Sequence, residues 1–214
     1  MKRGIIIIGA LCAVCVAQAQ DKQAKTWLDK SALAFTASGA LSADFSLSAI
    51  MSAQQGPLNF EGTIDLKGAK YHLNVPEMET WFDGKTQWVL QKADGEVSIS
   101  EPDVKEVQQL NPAIIFEMYK KGCNYTYLGE KTDAKGKKVH EVELISQDKK
   151  NDLSKIILQI NATDAMPTKM HVFFSDKYEN IIQINKYRKN LALPDSFFSF
   201  DPKKYPNVDV IDLR

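Results

Sequence analysis

Cysteine is scarce in this chain: its 214 residues hold three, and two of them, Cys12 and Cys15, lie within the first twenty positions. Beyond that stretch only Cys123 remains, so no internal disulfide can staple the fold, and the chain must bury a sizeable core of its own. Histidine is equally sparse. His72, His140 and His171 each stand without a second histidine or cysteine at metal-ligand spacing. No G-x-S-x-G, H-E-x-x-H or phosphate-cradling glycine loop occurs. Cys123 is flanked by Gly122 and Asn124, and no neighbour could draw off its proton. Neither sign of charge dominates, with 27 basic and 27 acidic residues, which argues against a nucleic-acid partner or a polybasic membrane footing. After Val16 no apolar run approaches the roughly 20 residues needed to span a bilayer. These absences lead us to expect a protein with no catalytic residues, no metal and no cofactor.

The first segment present is a leader. Lys2 and Arg3 precede an apolar run from Ile5 to Val16, followed by Ala17-Gln18-Ala19. A short positive patch, a short apolar stretch and an Ala-x-Ala site describe a cleavable secretory signal. Residues 1–19 are therefore expected to be a signal peptide, and residues 20–214 a single exported domain. Cys12 follows Leu11 and Cys15 follows Val14, so neither has the small preceding residue of a lipid-anchored cysteine. The exported part carries 25 basic and 27 acidic residues.

The rest is read from periodicity. Ala24, Trp27, Leu28, Ser31, Ala32 and Phe35 recur at helical spacing and predict a helix over Asp21–Thr36, stopped by Gly39. From Leu41 the period becomes two. Leu41, Ala43, Phe45, Leu47, Ala49 and Met51 share one face, opposite Ser42, Asp44, Ser46 and Ser48. Leu58, Phe60, Gly62, Ile64 and Leu66 repeat the pattern, as do Tyr71, Leu73 and Val75. Asp83-Gly84 between aromatic-rich strands marks a tight hairpin, because glycine accepts positive φ there. Asp103–Tyr119 reads as helical in two pieces broken at Asn111-Pro112, a hinge for a movable lid. Strands then resume to the end of the chain, among them Phe197–Phe200 and Val208–Ile211.

One-sided strands need their apolar face covered, and so large a sheet curls because sheets twist. The expected class is α+β: an incomplete antiparallel β-barrel of about eleven strands, with three helical segments forming a lid over its concave apolar face. Strand parity and helix face nominate Phe45, Leu47, Met51, Phe60, Ile64, Leu66, Leu73, Leu90, Ile115 and Met118 as the lining of a ligand cavity.

Several segments resemble the LolA-type carriers of outer-membrane lipoproteins. They are Leu41-Ser42-Ala43-Asp44-Phe45-Ser46, Gly62-Thr63-Ile64-Asp65-Leu66-Lys67 and Phe82-Asp83-Gly84-Lys85-Thr86-Gln87-Trp88. The ending, Phe198-Ser199-Phe200-Asp201-Pro202 and Pro206-Asn207-Val208-Asp209-Val210-Ile211, is similar to that family's C-terminus. The resemblance implies a monomeric periplasmic carrier that shields acyl chains of lipoproteins. It would take them from an inner-membrane exporter and pass them to an outer-membrane acceptor. Where typical members carry Arg-Pro after the second strand, this chain reads Lys67-Gly68-Ala69-Lys70, and lysine lacks the planar fork of arginine. Alternative tasks on the same fold are binding of another lipid or glycolipid, and sensing of envelope stress.

The exported protein is expected to begin at Gln20. Intact-mass measurement of the secreted chain checks this, and a product that keeps residues 1–19 would overturn it.

Overall fold

The computed structural model describes residues 14–51, 56–102, 116, 119–120, 122–148, 152–174 and 178–214, with side chains from residue 22 onward. Helix α1 (Val14–Ala37) contains the predicted helix and begins upstream of it. Ala24, Leu28 and Ser31 are fully buried on one stripe, flanked by Trp27, Ala32 and Phe35, while Leu33 on the other side is 71% exposed. Ser38 closes the helix by donating its hydroxyl to Ala34 O at 2.8 Å, and Gly39 turns the chain away at φ 60°.

Twelve strands form one sheet. The first meander is β1 (Leu41–Ile50), β2 (Leu58–Lys67), β3 (Lys70–Asn74), β4 (Met78–Phe82), β5 (Gln87–Gln91) and β6 (Glu96–Ser100). The second is β7 (Cys123–Thr132), β8 (Lys138–Ser146), β9 (Leu153–Asn161), β10 (Pro167–Phe174) and β11 (Glu179–Arg188). A short β12 (Asp209–Asp212) follows. The spatial order is β12-β6-β5-β4-β3-β2-β1-β11-β10-β9-β8-β7. Short polar turns make neighbours within each meander antiparallel, and the two meanders join where β1 pairs with β11. Arg188 ties this seam: its guanidinium donates to both carboxylate oxygens of Asp44, at 2.5 and 2.7 Å, and to Ser42 Oγ at 2.8 Å.

The register builds the inner face, the one against which α1 packs. Leu41, Ala43, Phe45 and Leu47 of β1 lie opposite Leu66, Ile64, Gly62 and Phe60 of β2. Leu73 and Tyr71 continue the rows on β3. On the other half, Leu144 and Val142 of β8 face Ile156 and Leu158 of β9. These apolar residues form one cluster with Ala24, Leu28, Phe116 and Tyr119, with Leu47 and Phe60 packed against it. A bulge at Asn185 of β11 keeps Ile184 and Tyr187 on the same inner side, opposite Phe45 and Ala43.

The structure corrects four expectations. The sheet has twelve strands rather than about eleven. Its last pairing, β12 with β6, is parallel, because the C-terminal segment crosses the sheet before joining its edge. The described residues hold one α-helix and two short 3-10 helices (Asp195–Phe198 and Pro202–Lys204), so a lid of three helical segments is not supported. The expected Asp103–Tyr119 helix and its Asn111-Pro112 hinge lie outside the described residues, except for positions 116, 119 and 120. Finally, Phe197–Phe200 is not a strand. This stretch begins in the first 3-10 helix after Pro194 and packs against β3, where no free strand edge is offered, and Phe198 is fully buried.

Gly62 is where β2 passes closest to its neighbours. An added Cβ would stand 2.7 Å from Phe45 Cζ, 2.8 Å from Val75 Cγ1 and 2.9 Å from Asn74 O. Gly62→Ala is expected to destabilise the protein by about 1–3 kcal/mol through overpacking. Urea unfolding reads this as a lower midpoint at unchanged slope.

Candidate functional site

The candidate site is the inner apolar basin between sheet and helix. Helix α1 sits over β7 and β8, and aromatic contacts hold it there. Trp27 stacks on His140 at 3.6 Å between ring centroids, and Lys30 places its ammonium 4.4 Å from the Trp27 ring. His140 Nδ1 and Tyr127 OH are hydrogen-bonded at 2.7 Å. Burial pushes the His140 imidazole below its ordinary range, with Lys30 and Lys138 acting in the same direction. The neutral ring suits an apolar interface. Further along, Tyr119 donates its hydroxyl to Asp29 Oδ1 at 2.9 Å, and Phe116 meets Phe35 at 5.3 Å. Phe116 and Tyr119 come from the connection between β6 and β7, so this connection contributes to the roof beside α1.

Beneath the roof lies a cavity of about 20 Å³ lined by Phe35, Ala43, Ile64, Leu66, Phe116, Pro167, Met170, Ile184 and Tyr187. That is room for about one water. Its one hydroxyl, that of Tyr187, donates to Pro167 O at 3.0 Å, and burial raises its pKa far above the usual phenol range. A second, open groove of about 300 Å³ lies on the outer face of the sheet among Ser46, Ser48, Asn59, Glu61, Ile181 and Gln183, apart from the basin.

Six of the ten nominated residues come together. Phe45, Ile64, Leu66 and Leu73 are buried in the main cluster, with Leu47 and Phe60 packed against it. Met51, at the end of β1, is 56% exposed rather than enclosed. Leu90 is on the wrong face. It pairs with Glu79 and Val97 and belongs to a second, outer cluster with Trp81, Val97 and Phe200. Apolar alternation on β5 misleads because residues 195–208 cover the outer face there, so apolar does not mean inner. Ile115 and Met118 lie outside the described residues. The sequence reading missed Phe35, Met170, Ile184 and Tyr187. Helical spacing already marked Phe35, whereas Tyr187 reaches the basin only through the bulge.

The basin offers little chemistry. Burial raises the pKa of the Cys123 thiol, the opposite of what a nucleophile needs. Among the described residues, no group of three or more His, Cys, Asp or Glu is placed to hold a metal ion. None of the described helices is long and apolar enough to cross a membrane. What the geometry can do is enclose apolar material.

An open antiparallel sheet with an apolar, helix-roofed inner face defines a half-barrel of the binding type. The chain belongs to the outer membrane lipoprotein carrier protein LolA family, whose model matches residues 14–173. No curated protein matches the sequence. Among solved structures, an uncharacterized conserved protein from Thermus thermophilus superposes at a TM-score of 0.59 with 12% identity, covering 89% of this chain and 99% of its own. A DUF1329 family protein from Desulfovibrio piger gives a TM-score of 0.50 at 11% identity, with 84% and 97% covered. A LolA superfamily protein from Nitrosomonas europaea gives 0.46 at 11% identity, with 83% and 97% covered. The first two likenesses concern the fold.

Leu90→Ala is expected to cost about 2–5 kcal/mol of stability while leaving uptake of an apolar fluorescent probe unchanged. Phe116→Ala is expected to enlarge the basin and increase that uptake. Paired denaturation and probe titration distinguish the two faces.

Proposed function

We propose that this chain, once its leader is removed, works in the periplasm as a carrier that shields the acyl chains of lipoproteins between inner and outer membrane. The observation that carries this reading is the inner basin: large apolar walls on both meanders under a roof to which α1, Phe116 and Tyr119 bring apolar and aromatic side chains. The family to which the chain belongs supports the same task. A sixteen-carbon acyl chain gains on the order of 13 kcal/mol when its methylenes leave water, at about 0.8 kcal/mol each. Ordering the chain and displacing the roof offset a substantial part of this, and the remainder must still permit release.

A cavity of about 20 Å³ is far too small for such a chain, so taking one up requires the basin to widen. In this reading, loading parts α1 from Phe116 and Tyr119. Among the described residues, the contacts that resist include the Trp27–His140 stack, the Phe35–Phe116 contact and the Tyr119–Asp29 hydrogen bond. Met51 and Leu58, both exposed at the end of the sheet where Ala49 pairs with Leu58, mark the proposed mouth. The inner-membrane exporter and outer-membrane acceptor are the partners this reading implies.

Among the described residues, Lys67 and Lys70 pair away from the roof. Both reach Asp195 at 2.9 Å, and Lys67 also donates to Leu193 O. Opening in this chain therefore rests on the contacts of α1 itself rather than on a basic residue at the end of β2.

The test is a release assay. Purified mature protein added to spheroplasts of its own organism is expected to draw newly made lipoproteins into the supernatant as a stoichiometric complex. Failure of release by folded protein would overturn the lipoprotein assignment. Mass spectrometry of co-purified lipid then decides whether another acylated cargo fills the basin.

A further inference from the structure

The chain after β11 leaves the seam and crosses to the outer face of the first meander. Its attachment begins where Asp195 bridges Lys67 and Lys70. These pairs are exposed, and pairs of that kind hold weakly. The next contact is aromatic: Phe197 meets the ring of His72 edge-on at 5.2 Å, while Trp81 stacks with that ring at 5.3 Å. Further on, Tyr205 donates its hydroxyl to Glu79 Oε2 at 3.1 Å and packs on Trp81 and Phe200. Beyond it, β12 joins the edge of β6.

His72 is at the centre of this attachment. Its Nε2 lies 2.7 Å from Glu79 Oε1, and its Nδ1 faces Asp65 Oδ2 at 3.5 Å. The three side chains are only 12%, 15% and 12% exposed for His72, Asp65 and Glu79. Nδ1 is buried and has no well-formed hydrogen bond to anything else. A neutral imidazole carries one ring proton. If that proton serves Glu79, the lone pair of Nδ1 points toward a carboxylate in a poorly hydrated site. The imidazolium alone presents a donor to each acid, and it leaves one net negative charge under the segment instead of two.

We propose that protonated His72 is a pH-sensitive latch: with Asp65 and Glu79 it holds the C-terminal segment on the outer face, and loss of its proton loosens that segment. The ionisable groups around it come from every packed element. They are Asp65 on β2, Glu79 on β4, Tyr205 on the segment, and Lys92, whose ammonium is held by Asn74 Oδ1 and Val75 O. Lys67, Lys70 and Asp195 form the outer pair, and Arg188 lies beyond Asp65.

Burial opposes the charge on His72, but the two carboxylates outweigh it and raise its pKa above the ordinary 6.5. Burial likewise opposes the charge on Glu79, while His72, Tyr205 and Lys92 bring it below its ordinary 4.5. The stability contributed by His72 is present below pH 6.5 and is lost as pH rises through the raised folded value. That of Glu79 is present above pH 4.5 and is lost as pH falls through its lowered value. The latch is firmest between those limits. Its release would uncover Trp81, Trp88, Leu90 and Val97 and free the edge of β6.

Amide exchange of the mature protein, corrected for intrinsic rates, tests this between about pH 6 and about pH 9. Protection of residues 195–212 is expected to fall across that range while β8 and β9 stay protected. In His72→Gln the segment is expected to be weakly protected throughout, with no pH dependence. Protection in the native chain that does not change with pH, or a His72→Gln variant that keeps the native pH profile, would overturn the latch. Should the variant fail to fold, NMR titration of the His72 ring in the native chain decides. An inflection above 6.5 supports the proposal, and one at or below 6.5 refutes it.

Discussion

A twelve-stranded sheet with one strongly apolar face has to exclude water from that face, and among the described residues α1, Phe116 and Tyr119 help to do so. Much of the architecture follows from that need for cover. The sheet brings apolar rows from β1, β2 and β3 toward those of β8, β9 and β10, so that its own side chains fill much of the enclosed space. Helix α1 covers β7 and β8, and the connection between β6 and β7 sends in Phe116 and Tyr119. Apolar burial has no directional requirement, so a roof made largely of such contacts can be exchanged for another apolar body of suitable shape.

Polar contacts are concentrated elsewhere. The seam between the meanders is fixed by the Arg188 fork on Asp44 and Ser42, a charge-assisted arrangement with directional demands. The bulge beside it sets the parity of β11 and delivers Tyr187 to the basin. Rigidity at the centre of the sheet and a largely apolar roof over it are the combination the proposed carrier role calls for, with walls that keep their shape under a roof that could yield.

The outer face of the first meander solves a separate problem. Trp81, Trp88, Leu90 and Val97 would expose a large apolar patch on β4, β5 and β6. The segment from Asp195 to Val208 covers it with Phe200, Tyr205 and Val208, and its path brings a histidine and two carboxylates under aromatic cover. The region is thus a second small core whose stability depends on charge, whereas the main cluster depends on area alone. Lys67 and Lys70 belong to this arrangement.

Much of the architecture was legible in the sequence because period-two alternation and turn residues are local properties. The one-sided patterns of Leu41–Met51 and Leu58–Leu66, the Asp83-Gly84 turn and the helix ending at Gly39 needed no knowledge of distant contacts. For the same reason Phe45, Ile64, Leu66 and Leu73 could be assigned to the inner face. Facts that depend on partners remote in sequence could not be read. Leu90 alternates like an inner residue, yet residues more than a hundred positions later make its face an interior. Phe197–Phe200 has strand-like composition, yet a strand needs a free edge, and the position this segment takes on the sheet offers none. Tyr187 enters the basin because of a bulge, and His72 meets Phe197 and Tyr205's partner Glu79 only after the chain has folded back on itself. Local pattern determined which residues form strands and which side of each strand is apolar. Tertiary structure alone decided which apolar sides became the basin and which became the latch, because that depends on what covers each face.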